Sequence, residues 1–307
     1  MKQRTYQNKS DVTLLQDFNA IATAETDGCG YVHPGDIPHR LFGGNKYFDP
    51  AEVLTIWEDD KGVAAWVLIG PRHKSYDAQV RTDLRCGDFE REVLMYADAR
   101  TVELMRQHNI EGDRFFADAY QSDKARSKLL TELGWKLDAE STYILTRTSL
   151  EDIEIPALPD DYSIRSVSGI EEAAAVVDVH LGAFPGCGWT PELYRKAMRA
   201  PGYAPEREYV VVAPTGTFAA FTVTWHDELN KIGYFEPVGT HKDYQRRGLG
   251  RAIIFFGMHQ MAAGGMKYAT VAHSNNNIAA KNLYKSCGFK PWHAMDDYSK
   301  SISMKEI

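Results

Sequence analysis

Cysteine is scarce in this sequence. Cys29, Cys86, Cys187 and Cys287 lie far apart and form no CxxC pair, so neither a thiolate zinc cluster nor a disulfide framework is expected. They read as free thiols, and no metal is expected. Long apolar runs are missing too: none approaches the length of a membrane span. The opening stretch MKQRTYQNKSDV is polar, and a cytoplasmic location is the expectation it supports. Positive charge is in deficit, with 35 Lys and Arg against 42 Asp and Glu and a net charge of −7. Phosphate backbones and anionic lipid surfaces are bound by positive excess. No nucleic-acid or membrane partner is therefore expected, and a cationic small molecule suits the field better.

What is present is length enough for two full cores, 307 residues with 44% hydrophobic content. The chain also repeats itself. VLTIWEDDKGVAAWVLIG (Val53–Gly70) and EYVVVAPTGTFAAFTVTW (Glu208–Trp225) both read strand, turn, strand. Further on, SKLLTELGWK (Ser127–Lys136) parallels KNLYKSCGFK (Lys281–Lys290) at nearly the same separation. A separation held across two distant segments marks one fold used twice. Pro156 and Pro159 in EDIEIPALPDDY break regular structure. The expected division is therefore 1–150, a linker at 151–160, and 161–307.

In the second half the pattern predicts a short strand at 162–166, helices near 171–181 and from Thr190, a hairpin and a strand over Ile232–Thr240. A helix from Gly250, a strand over Tyr268–His273 and a last helix through 277–289 follow. Thr190 is placed to cap its helix ahead of Pro191. Hairpins followed by alternating strands and helices give a mixed α/β sheet with helices packed on it.

The chemistry concentrates in PVGTHKDYQRRGLGRAIIFF. Gly248 and Gly250 stand between a strand and a helix N-terminus, leaving the amides of Arg246–Arg251 bare. Such amides at the positive end of a helix dipole cradle a diphosphate. Arg246, Arg247 and Arg251 add a cationic spot to an acidic protein. Pro237 cannot donate a ladder hydrogen bond, so its strand should bulge and splay there. Splaying exposes the backbone of Val238, Gly239 and Thr240 to an extended, amide-bearing ligand. Coenzyme A combines a diphosphate with such an arm.

These residues resemble a known family. QRRGLG (Gln245–Gly250) fits the Gln/Arg-x-x-Gly-x-Gly/Ala signature of GNAT acyltransferases, and NIAAKNLYKSCGF (Asn277–Phe289) fits the family's N-x-x-A-x-x-L-Y-x-x-x-G-F pattern. The resemblance covers most of 160–300 and reaches the first half only through the repeat. It implies an α/β fold of two tandem GNAT-like domains, each a mixed, mostly antiparallel sheet flanked by helices. It also implies acetyl-CoA as co-substrate, with its pantetheine arm along Val238, Gly239 and Thr240. The diphosphate would lie over Gln245, Arg246, Arg247, Gly248, Leu249, Gly250 and Arg251, and Asn277 would contact the cofactor. Tyr284 takes the family's general-acid position, protonating the departing thiolate. Glu236, on one strand face with Tyr234, is the expected base, with His241 and His226 as alternatives. Cys287 is expected to pack, not to react, because direct transfer needs no acyl-enzyme.

The function implied is transfer of an acetyl group to the primary amine of a small molecule. Two alternatives stand beside it: a different acyl donor or acceptor, as in mycothiol-synthase-like proteins, and a coenzyme A-binding sensor without catalysis. Asp227 and Glu228 are candidates to favour an ammonium acceptor. In the first half, RTDLRCGDFERE offers one glycine, Gly87, with Asp88, Glu90 and Glu92 opening the helix, and Leu130 stands where the second half has Tyr284. Carboxylates there repel a diphosphate, so this half reads as a degenerate copy. DGCGYVHPGDIPHRLFGG is a candidate pocket lining within it.

Overall fold

The computed structural model describes residues 1–302, which fold as two compact units. One holds Met1–Ile144, 274–276 and the described residues from His293. The other holds Leu145–His273 and Asn277–Trp292. In chain order the elements are β1 (Lys2–Thr5), α1 (Lys9–Thr26), α2 (Asp36–Pro38), α3 (Pro50–Val53), β2 (Leu54–Asp59), β3 (Gly62–Gly70), β4 (Ser75–Val80), α4 (Asp88–Gln107), β5 (Arg114–Tyr120), α5 (Lys124–Glu132) and β6 (Lys136–Ser149). Then come β7 (Ser163–Ser166), α6 (Ala173–Ala183), α7 (Pro191–Met198), β8 (Glu208–Val212), β9 (Phe218–Asp227), β10 (Ile232–Thr240), α8 (Leu249–Ala263), β11 (Tyr268–Ser274), α9 (Ile278–Ser286) and β12 (Lys290–Ser301).

Strands in the first unit follow the order β1-β2-β3-β4-β5-β12, and in the second the end of β6, from Leu145, is followed by β11-β10-β9-β8-β7. Antiparallel pairs dominate, with β4–β5 and β10–β11 parallel. The units do not follow the two halves of the sequence. The last strand completes the first unit's sheet, pairing Met295 to Ser301 with Tyr120 to Arg114. The chain passes into the second unit at Leu145, inside β6, ahead of the Pro156 and Pro159 segment.

Local chemistry sets the helix ends. Thr190 accepts from Leu193 N and caps α7 ahead of Pro191. In α8, Ile254, Met258 and Met261 form one apolar stripe against Phe235 and Val271, each contributing roughly 1.5–3 kcal/mol by burial. Gly257 lets α8 approach β10, for a Cβ there would lie 2.5 Å from Phe235 Cε1.

A buried polar cluster holds α7 to β8. Glu208 is fully buried, and the hydroxyls of Tyr194 and Tyr203 each donate to one of its oxygens at 2.5 Å. Burial first, and the Glu208 charge second, hold both phenols well above the usual range. Glu208→Leu strands two buried donors, so urea denaturation should show a loss of roughly 2–5 kcal/mol. A variant within about 0.5 kcal/mol of the native chain would remove this role.

Candidate active site

The site grows from the divergence of β10 and β11. These strands pair only at Ile232–Tyr268, Gly233–Ala269 and Tyr234–Thr270. Beyond Tyr234, β10 keeps its other neighbour β9, with a register shift between Phe235 and Val238. Pro237, which has no N–H, sits inside that shift, as its chemistry requires. Side chains of β9 take the bulged carbonyls: Trp225 Nε1 donates to Glu236 O at 2.8 Å and Thr222 Oγ1 to Pro237 O at 3.0 Å. Val238, Gly239 and Thr240 then rejoin β9 opposite Thr222, Phe221 and Ala220, and their other edge is left to the splay. Gly239 is obligatory, since a Cβ would lie 2.5 Å from Phe221 Cε1 and 2.9 Å from Ala183 Cβ.

The glycine loop follows directly. Arg246 and Gly248 both take left-handed backbone, at φ 65° and 79°, and Gly248 is the N-cap of α8 with no side chain capping its first amides. Helix N-termini need acceptors for those donors. The signature residues divide by role. Leu249 is buried among Tyr209, Val211 and Ile253, so it has only its amide to offer. Gly250 faces Thr240 Oγ1 and Leu283, which a Cβ would reach at 3.4 Å and 3.3 Å.

The three arginines do not act as one cationic spot. Arg247 donates to Tyr162 Oη at 2.9 Å and Asp243 O at 3.1 Å, and Arg251 pairs with Glu154 at 2.8 Å. Arg246 is exposed and makes no hydrogen bond or ion pair among the described residues. Gln245 Nε2 lies 3.4 Å from Thr240 O, fastening the loop to the strand it follows. Asn277 caps α9 by accepting from Ala280 N at 3.0 Å, so its Oδ1 is committed and its Nδ2 donor remains.

Tyr284 is 7% exposed and joins the core cluster of Phe235, Val271 and Phe289. Packing and proximity to Glu236 coincide in this one residue. Burial raises its hydroxyl pKa most, and the Glu236 charge raises it further. Glu236 is half-buried, with Tyr234 Oη 3.4 Å from its Oε2, which puts the two on one face as strand alternation requires. Sequence reasoning missed His273. It is buried near the end of β11, its ring centroid 6.0 Å from that of Tyr284. The signal was a polar residue two places beyond Val271, and hence on its face, in the run YATVAH.

Several side candidates resolve differently. The two alternative bases are both largely packed: His241 lies where a Gly182 Cβ would overlap its ring, and His226 is pushed down to about 4 by burial. Asp227 is buried, accepting from Leu229 N, Asn230 N and Asn230 Nδ2. It holds the β9–β10 turn and is not presented to an acceptor. Burial pushes the Cys287 thiol up to about 11, as a packing residue behaves. In the first unit Leu130 is fully buried. There Gly30, Val32 and Arg40 do line a cleft, of about 500 Å³ with its open mouth, together with Tyr76, Asp77 and Asp118. Among the described residues no group of His, Cys, Asp and Glu is placed to hold a metal ion, and no helix is long and apolar enough to cross a membrane.

Residues 174–289 match the Acetyltransferase (GNAT) family. The chain is 28% identical to a mycothiol acetyltransferase of Rhodococcus jostii (strain RHA1) over 174 residues, 50% of this chain and 55% of that protein. It therefore spans about half the length of that relative. A mycothiol acetyltransferase of Saccharomonospora viridis is 22% identical over 318 residues, covering 94% of this chain and 96% of that one. Among solved structures, a GCN5-related N-acetyltransferase from Sphaerobacter thermophilus superposes with a TM-score of 0.64 at 16% identity, covering 98% of this chain and 95% of that one. A tandem GNAT protein from the clavulanic acid biosynthesis pathway superposes at 0.65 with 14% identity, covering 98% of each. The family match is therefore to residues 174–289 of this chain, which apart from 274–276 lie within its second unit. The chain's fold is the mixed α/β fold of those two structures, the tandem GNAT protein matching 98% of this chain.

Proposed function

We propose that the second unit transfers an acetyl group from acetyl-CoA to the primary amine of a small molecule, as an N-acetyltransferase acting by direct transfer. The observation that carries this reading is the junction of a splayed, bulged strand with an uncapped, glycine-bordered helix N-terminus. That junction offers strand-edge amides and anion-seeking amides in succession, which fits an amide-bearing arm ending in a diphosphate. Val238, Gly239 and Thr240 would hold the arm. The diphosphate would lie on the amides of Gln245, Arg246, Arg247, Gly248, Leu249, Gly250 and Arg251, with Arg246 the cation at hand and Asn277 Nδ2 a further donor.

Acetyl-CoA supplies the activated acyl carbon. Glu236 takes a proton from the acceptor ammonium, directly or through water. An amide near Val238 polarises the carbonyl oxygen. Tyr284 Oη gives its proton to the departing sulfur as the carbon–sulfur bond breaks. The two titrating groups are coupled: the Glu236 charge raises the Tyr284 pKa, so protonating Glu236 lowers it again. Taking the ammonium proton thus makes the phenol a better acid when the thiolate leaves.

A second reading is favoured by the end-to-end likeness to the Saccharomonospora viridis mycothiol acetyltransferase: an acceptor of the mycothiol type. The test is release of free coenzyme A thiol across a panel of small amines that includes amino thiols. Glu236→Gln should lower kcat by about 10²–10⁴-fold and remove the acidic limb of the pH–rate profile. An unchanged profile assigns the proton to another group. Acetyl-CoA binding with no turnover on any amine would leave a sensor.

A further inference from the structure

The first unit repeats the geometry of the second closely enough to be aligned on backbone alone. Thr82–Leu84 and Lys242–Tyr244 are both 3-10 turns. Cys86 and Arg246 follow at the same step, with φ 64° and 65°. Asp123 caps α5 by accepting from Arg126 N, as Asn277 caps α9 by accepting from Ala280 N. β4 ends at Val80 as β10 ends at Thr240. Aligned this way, Arg85 stands at Gln245, Glu90 at Gly250, Arg126 at Ala280 and Ala78 at Val238. β4 and β5 also diverge, pairing only at Ser75–Phe116.

The loop turn, the helix start and the diverging strand edge are therefore repeated, without the bulge of β10 or the left-handed backbone of Gly248. The loop amide and the strand-edge carbonyl are already taken. Glu90 is fully buried. Its Oε2 accepts from Cys86 N at 2.5 Å, the loop amide of the cradle, and its Oε1 accepts from Arg126 Nε at 2.6 Å. Arg126, 9% exposed along its side chain, reaches on to Ala78 O with Nη2 at 3.1 Å, the strand-edge carbonyl where an amide arm would pair. Arg85 lies 3.6 Å from Glu90 and is paired with Asp123.

We propose that the Glu90–Arg126 pair is a built-in surrogate for the acyl donor, its carboxylate standing for the diphosphate and its guanidinium for the amide arm, closing this cleft to diphosphate esters. A carboxylate serving only the helix dipole has no need of burial, and Asp88 supplies that from an exposed position in the same turn. Glu90 instead gives up solvent entirely and meets groups that otherwise lack a partner, as buried polar atoms must. The inference rests on the reading of Gln245–Gly250 as a diphosphate cradle.

The test is thermal denaturation of the full-length chain with and without inorganic diphosphate. Comparing the native chain with Gly248→Asp reports on the second unit alone. In the Gly248→Asp background, Asp88→Gly and Glu90→Gly with Arg126→Ala restore the residue types found at Gly248, Gly250 and Ala280 of the working cleft. Diphosphate should then raise Tm by about 3 °C over the Gly248→Asp parent. Asp88→Gly alone, which leaves the pair in place, is the control expected not to respond. Equal responses overturn the proposal. A reciprocal graft covers the case in which that variant fails to fold: Gly250→Glu with Ala280→Arg should melt no lower than the native chain yet bind no acetyl-CoA. A graft that melts below Gly250→Glu alone also overturns it.

Discussion

Replacing Tyr284 with phenylalanine is expected to lower kcat by about 10²–10⁴-fold, the usual range for losing a general acid, while the acetyl-CoA dissociation constant moves less than about twofold. The split follows from where the residue sits. Its ring is held by Phe289 and His273 in the core, and phenylalanine keeps that packing, so melting should be almost unchanged. Only the hydroxyl is lost, and that group acts on the departing sulfur, not on the bound donor. With the phenol raised by burial and by Glu236, native activity should fall only well above neutrality, where the phenol loses its proton. The variant should show no such basic limb. A Tyr284→Phe enzyme with native kcat would leave this tyrosine a packing residue and assign the acid role elsewhere.

Gly248→Asp should weaken acetyl-CoA binding by at least about 100-fold, combining a carboxylate at the positive helix end with a longer side chain over the first amides. The fold should survive. Gly248 has φ 79° and open space around the position a Cβ would take, and aspartate tolerates left-handed backbone better than most residues. Calorimetry on the native chain should count one site per chain, and on Gly248→Asp none. Two sites would mean that the first unit also takes the donor, contrary to its filled cleft. Equal affinity in both chains would remove the cradle.

The second unit's element order was legible because its signals are local. Pro237, the paired glycines, Thr190 ahead of Pro191 and the 3.6-residue spacing of α8 each act within a few residues. The side chains were less so. Arg247 and Arg251 sit in the signature, but their partners Tyr162 and Glu154 lie some ninety residues away. Asp227 looked like an acidic lure for an ammonium because nothing in TWHDELN reveals that its carboxylate turns back onto the backbone. Glu90 was read as repelling a diphosphate. That it occupies the cradle itself depends on Arg126, a helix later. The exchange of β12 into the first unit left no trace in the sequence, because strand partners far apart share no local pattern.

That exchange bears on how the protein is made. β5 emerges from the ribosome early, yet the strand that covers its edge, Met295–Ser301, comes roughly 175 residues later. At about 5–20 residues per second, some ten to thirty seconds pass with that edge open to other chains. Phe116, exposed on β5 even in the finished fold, adds an apolar contact to it. The β5 edge of a growing chain thus stays uncovered until its last strand is made.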